Sequence, residues 1–123
     1  MAMPIRVLVV DDAAFMRKMI RDIFPADEFD VVGEAQNGRE AVERFCELQP
    51  DLVSMDIVMP EMGGIEATRE ILALRPDAVV LICSALGQEP LVMEAIEAGA
   101  SDFIVKPFRP EDVLAVVRKV MGR

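Results

Sequence analysis

The side chains able to do chemistry stand where short apolar runs end. Leu8-Val9-Val10 leads into Asp11 and Asp12, Leu52 to Met55 into Asp56, Ala78 to Cys83 into Ser84, and Asp102 to Val105 into Lys106. Taken singly, an Asp or Ser at such a point is a turn or helix-cap residue, and a lysine is a solvated loop residue. Taken together they read differently. Three carboxylates brought to one place repel and raise one another's pKa unless a cation joins them. An all-oxygen set suits a hard divalent ion, Mg²⁺ first, with Mn²⁺ able to substitute. A carboxylate flanked by such an ion, an ammonium and a hydroxyl is equipped to meet a phosphoryl group and neutralise its oxygens. The chain has no histidine, which removes the commonest general base and the commonest transition-metal ligand.

Something must bring these residues together, and the chain alternates in the required way. Residues 5–10, 30–35, 51–56, 78–83 and 102–105 are short apolar or β-branched runs and read as strands. Between them lie helical patterns. In 15–24, Phe15, Met16, Met19, Ile20, Ile23 and Phe24 form the apolar face, opposite Arg17, Lys18, Arg21 and Asp22. Asn37-Gly38 opens a helix with Ala41, Val42 and Phe45 inward. Residues 65–74 turn Ile65, Ile71 and Leu72 inward, 89–98 end at Gly99, and Pro110 opens a last helix with Val113, Val116, Val117 and Val120 at helical spacing. Residues 59–64, MPEMGG, read as a loop.

Strict alternation of continuous apolar strands with helices predicts an α/β fold, a doubly wound parallel sheet with helices on both faces. The run 78–83 is the most apolar and is expected at the centre, the second strand at an edge. Ligands of such sheets sit outside the carboxyl ends of the strands, which is where Asp11, Asp12, Asp56, Ser84 and Lys106 fall. The length fits one domain over residues 1–123, with no linker or composition shift. No signal-peptide pattern or bilayer-length apolar run occurs, so a cytoplasmic protein that does not enter membranes is expected. The net charge of −9 disfavours nucleic acid as a partner and leaves room for a basic protein or a bound cation. Cys46 and Cys83 have no metal-ligand spacing and are read as small buried hydrophobes in a reducing compartment.

In their order, VLVVDD, SMDIVMPEMGG, ICSA and DFIVKPF resemble the receiver domain of two-component response regulators, over essentially the whole chain. DDAAFMRKMIRDIF is most similar to single-domain chemotaxis regulators of the CheY type, and also to receivers fused to chemotaxis methylesterases. The resemblance implies a flavodoxin-like (CheY-like) five-stranded sheet of order 2-1-3-4-5. It implies Asp56 as phosphoacceptor. Asp12, Asp56 and the Val58 backbone carbonyl would hold Mg²⁺, with Asp11 acting partly through water. Lys106 would contact the phosphoryl group, Ser84 would hydrogen-bond one of its oxygens, and Lys106–Pro107 would be a cis peptide. Phe103 matches the switch aromatic, although many chemotaxis members carry tyrosine there. Val58 and Leu86 occupy the positions that tune the lifetime of the aspartyl phosphate.

The implied phosphodonor is a phosphohistidine on a sensor histidine kinase of the chemotaxis type, so the missing histidine belongs to another protein. The implied target is a protein such as the flagellar motor switch, bound through the face of the fourth helix, fifth strand and fifth helix, with a phosphatase as further partner. The chain would be a monomer and no enzyme beyond catalysing its own phosphorylation and dephosphorylation. Other readings stand beside this one. The receiver could serve another pathway as a phosphorelay or adaptor protein, belong to a methylesterase, or be a docking module that is never phosphorylated. A flavodoxin would want a hydroxyl-rich phosphate loop where Asp11-Asp12 stands, and a haloacid-dehalogenase-type phosphatase a second acid where Val58 stands. Phe103 could equally be a core aromatic. Met59, Met62 and Met93 could be a soft partner surface or loop packing and a half-exposed helix position.

Overall fold

A computed structural model of the chain describes residues 3–123. Five strands alternate with five helices: β1 (Ile5–Val10), α1 (Ala14–Ile23), β2 (Phe29–Ala35), α2 (Gly38–Leu48), β3 (Leu52–Asp56), α3 (Gly64–Leu74), β4 (Val79–Ser84), α4 (Glu89–Glu97), β5 (Asp102–Val105) and α5 (Pro110–Val120). The strands pair in parallel in the order β2-β1-β3-β4-β5. Among the described residues no helix is long and apolar enough to cross a membrane.

Strand periodicity divides the core in two. On one face Leu8, Val10, Val53, Met55, Val80 and Ile82 pack against Ala41 and Phe45 of α2, Ala67 and Ile71 of α3, and Val92 and Ala95 of α4. On the other, Val7, Val9, Leu52, Leu81 and Cys83 meet Ile20 of α1 and Val113 and Val117 of α5. This two-sided burial is why the strands read as unbroken apolar runs. It does not identify the middle strand. The centre is β3, and β4 lies between β3 and β5, contrary to the expectation from its composition. All five residues of β3 are buried, acid and hydroxyl included, and it is central despite carrying Ser54 and Asp56.

Two further expectations fail at the surface. Phe15 and Met19 are 73% and 44% exposed, because α1 turns only Ile20 fully onto the sheet. Cys46 is exposed on α2, one residue past the buried Phe45, whereas Cys83 is buried. Met59 and Met62 pack against the core, while Met93 is exposed.

The helix ends follow local chemistry. The Asn37 side chain accepts the Glu40 N–H at 2.8 Å and caps α2. Gly99 follows α4 with φ +112°, a left-handed conformation that favours glycine. Gly64 is demanded by proximity instead. A Cβ there would lie 2.0 Å from the Asp56 carbonyl oxygen, so α3 starts against the backbone of the strand end that carries the acid.

The two neighbouring glycines give a contrast. Gly64→Ala should cost about 3 kcal/mol, because the methyl meets backbone that cannot rotate away. Gly63→Ala should cost less than about 1 kcal/mol, since its nearest obstacle is the Ile57 carbonyl oxygen at 3.2 Å. Urea unfolding of the two variants checks this, and equal losses would contradict it.

Candidate functional site

The carboxyl ends of β1, β3 and β5 deliver acids and a base to one rim. Asp11 directly follows β1, Asp56 ends β3, and Lys106 directly follows β5. Asp11 and Asp56 are buried and Asp12 is exposed; one carboxylate oxygen from each of the three lies within 4.8 Å of the others. The Lys106 ammonium serves two of them, donating to Asp11 Oδ2 at 3.0 Å and to Asp56 Oδ1 at 3.4 Å. Backbone amides complete the shell. Ala13 N–H donates to Asp11 Oδ1 at 2.9 Å, and Ile57 N–H to Asp56 Oδ1 at 3.0 Å.

Electrostatics follow from burial. Desolvation, and next the neighbouring Asp11, push the Asp56 pKa from 3.8 to about 6, against the pull of Lys106 and the Ile57 amide. Burial opposes the Lys106 ammonium, yet the hydrogen bond to Asp11 and the charges of Asp56 and Asp11 outweigh it and hold its pKa above the ordinary value. The rim therefore keeps an excess of negative charge around an all-oxygen donor set. That is the donor chemistry of a hard divalent cation, and Asp11, Asp12 and Asp56 fit one.

The other candidates lie around this cluster. Ser84 is buried, and its hydroxyl donates to the Ile104 carbonyl at 3.4 Å, not to a carboxylate. The Lys106–Pro107 peptide is cis. Val58 and Leu86 are 58% and 77% exposed. Phe103 is 41% exposed on β5, so it is no core aromatic. It lines a cavity of about 220 Å³ together with Ser84, Leu86, Val92, Met93 and Val105.

Two sets of supporting residues were not singled out from sequence. Arg17, read as solvent-facing, has a side chain only 17% exposed and donates to the Asp11 carbonyl oxygen at 2.8 Å and to Glu34 at 2.9 Å. The signal lies in the pairing of β1 with β2, which sets Glu34 opposite Val9. No periodicity within one segment reveals it. The loop after Asp56 is tied down by Asn37, whose side-chain amide donates to Glu61 at 2.9 Å, and by Gly38 N–H, which donates to the Met62 carbonyl at 2.8 Å.

The chain is similar to known proteins along nearly its whole length. The family model of the response regulator receiver domain matches residues 7–118. The chemotaxis protein CheY of Thermotoga maritima is 58% identical over 115 residues, covering 94% of this chain and 96% of that protein. Among solved structures, CheY in the CheX-CheY-BeF3-Mg complex from Borrelia burgdorferi superimposes with a TM-score of 0.91 at 38% identity, over 97% of this chain and 90% of that one. The response regulator domain of Thermotoga maritima CheB gives 0.89 at 40% identity, over 98% of both chains.

A carboxyl group whose pKa is raised by folding binds its proton more tightly in the folded state. In metal-free protein the Asp56 contribution is thus most favourable below pH 3.8 and is lost as pH rises through about 6, a change on the order of 3 kcal/mol. Asp56→Asn should remove that loss and make the metal-free protein more stable than wild type at pH 7 by the same order. Urea unfolding in a chelator at pH 4 and pH 7 measures it. A difference between the two proteins that does not change with pH would contradict it.

Proposed function

The chain belongs to the response regulator receiver family, and from that premise we propose that it accepts a phosphoryl group on Asp56 from a phosphohistidine of a sensor kinase. Its use in chemotaxis signalling rests on the likeness to CheY proteins along nearly their whole length. The observation that carries the reading is the Asp56 carboxylate, sunk at a strand end between two other acids and within hydrogen-bonding reach of the Lys106 ammonium.

In the proposed reaction an Asp56 oxygen attacks phosphorus in line with the departing imidazole; the new P–O bond forms as the P–N bond breaks, and the imidazole leaves with a proton. Asp11, Asp12, Asp56 and the Val58 carbonyl would hold Mg²⁺, or Mn²⁺ in its place, which when bound supplies positive charge to the phosphoryl oxygens. Lys106 supplies a fixed positive charge from the opposite side. Ser84 has only a long bond to Ile104 to give up, so its hydroxyl is free to turn to a phosphoryl oxygen. Its departure would open the cavity that Phe103 lines, and Phe103 would turn inward, altering the α4–β5–α5 face. That face would bind the target, such as the flagellar motor switch, and a phosphatase would end the signal.

On this reading the protein is a cytoplasmic monomer, a single receiver domain over residues 1–123 whose catalysis is confined to itself. A second reading, the receiver of a chemotaxis methylesterase, is favoured by the close superposition on the CheB domain and shares the same site chemistry.

Two outcomes test the proposal. Asp56→Asn should take no label from acetyl phosphate, since an amide is a far weaker nucleophile than a carboxylate; label moving to Asp11 or Asp12 would reassign the acceptor. The exposed apolar side chains of Val58 and Leu86 cannot position a water for hydrolysis. After removal of the donor, Val58→Asn/Leu86→Glu should therefore lose its phosphoryl group about 10- to 100-fold faster than wild type, a barrier change of about 1.4 to 2.8 kcal/mol. Equal decay rates would defeat this role.

A further inference from the structure

The metal-binding reading leaves open what aims Asp12. Its carboxylate is exposed and has no hydrogen-bond or ion-pair partner among the described residues, whereas Asp11 beside it is held at every polar group. Asp11 N–H donates to the Ala35 carbonyl at 3.1 Å, and its two carboxylate oxygens take Ala13 N–H and Lys106. Its carbonyl oxygen takes Arg17 Nη1 at 2.8 Å. That oxygen belongs to the same planar peptide as the Asp12 nitrogen, so holding it restricts the direction in which the Asp12 side chain leaves the backbone.

Arg17 is itself clamped. Its Nε donates to Glu34 at 2.9 Å, and Arg21 binds the other oxygen of the same carboxylate. Burial favours the neutral acid at Glu34, but the hydrogen bonds from Arg21 and Arg17 prevail and hold its pKa below the ordinary value, so the clamp stays charged at neutral pH. We propose that Arg17, gripped by Glu34 of β2, is a positioning residue that sets the Asp11–Asp12 peptide so that Asp12 meets a divalent cation together with Asp11 and Asp56. The inference rests on the receiver reading of the site and adds to it a residue outside the acid cluster.

At Arg17, electrostatics and positioning have opposite signs, whereas at Glu34 they share one. Removing a guanidinium from the edge of a cation site should tighten cation binding by charge alone; removing a support should weaken it. Mg²⁺ is titrated into wild type, Arg17→Met, Arg17→Lys and Glu34→Gln, following the Asp12 amide by NMR. Arg118→Met, which breaks the comparable pair of Arg118 with Glu28 at 2.7 Å on the far side of the fold, serves as control.

Arg17→Met should weaken Mg²⁺ on the order of 10-fold, as loss of outer supports does at metal sites. Arg17→Lys should recover part of that loss, and Glu34→Gln should weaken binding about 3-fold, within the same effect. Arg118→Met should lower the melting temperature and leave Mg²⁺ affinity unchanged. Unchanged or tighter binding in Arg17→Met overturns the proposal. Should that variant not fold, unchanged affinity in Glu34→Gln overturns it equally. A wild type that binds no Mg²⁺ and takes no phosphoryl group removes the receiver reading itself, and this inference with it.

Discussion

Three carboxylates crowd together at the carboxyl edge of the sheet with one ammonium bonded to two of them, and the rest of the structure is arranged around that imbalance. Ionised oxygens less than 4.8 Å apart repel by at least about 3 kcal/mol per pair at the effective dielectric of a protein surface. Lys106 offsets one charge, leaving two, which is the charge of one divalent cation. The imbalance is held in place by burial. Asp11 and Asp56 cannot escape to solvent, because the first follows β1 directly and the second ends the fully buried β3. The cost appears as the raised pKa of Asp56.

Topology makes the crowding possible and keeps it local. Lys106 lies 95 residues from Asp11 and 50 from Asp56, so no local element could assemble the trio. Parallel pairing does so, because every strand then ends on the same side. The two-sided core fixes the strand ends from both faces, and the close approach of Gly64 to the Asp56 carbonyl leaves β3 no slack. Support reaches the acids from both flanks: Glu34 and Arg17 hold the loop after β1, and Asn37 and Gly38 hold the loop after β3.

Much of this was legible in the residues, for identifiable reasons. The strands are continuous apolar runs and the helices carry clear stripes, so element order and the rim of acids followed. Apolarity reports burial on two faces, a condition that β1, β3 and β4 all meet, so it could not single out β3 as central. A helical stripe reports which residues could face the sheet, and not how far the helix is rolled, so Phe15 and Met19 were placed inside when they lie outside. The role of Arg17 is hidden in the sequence because a charged residue on the polar side of a helix looks solvated until a paired strand supplies its partner. Phe103 opens an apolar run, yet it is exposed on β5, which lies at the edge of the sheet.

The same imbalance gives the site a direction of change. On the proposed reading, a phosphoryl group on Asp56 turns one carboxylate charge into nearly two and adds three acceptor oxygens, so the deficit of positive charge and of donors deepens. Lys106 is already committed to Asp11 and Asp56, and the Ile57 amide to Asp56. A donor with little to lose is the Ser84 hydroxyl, whose present bond to Ile104 is long at 3.4 Å. Ser84 ends β4 and borders the cavity beneath Phe103, so on this reading satisfying the new oxygens and vacating space for the aromatic would be one movement. On that reading the signal would need no separate transmission device, because the Ser84 donor also stands at the wall of the cavity that the surface side chain would fill.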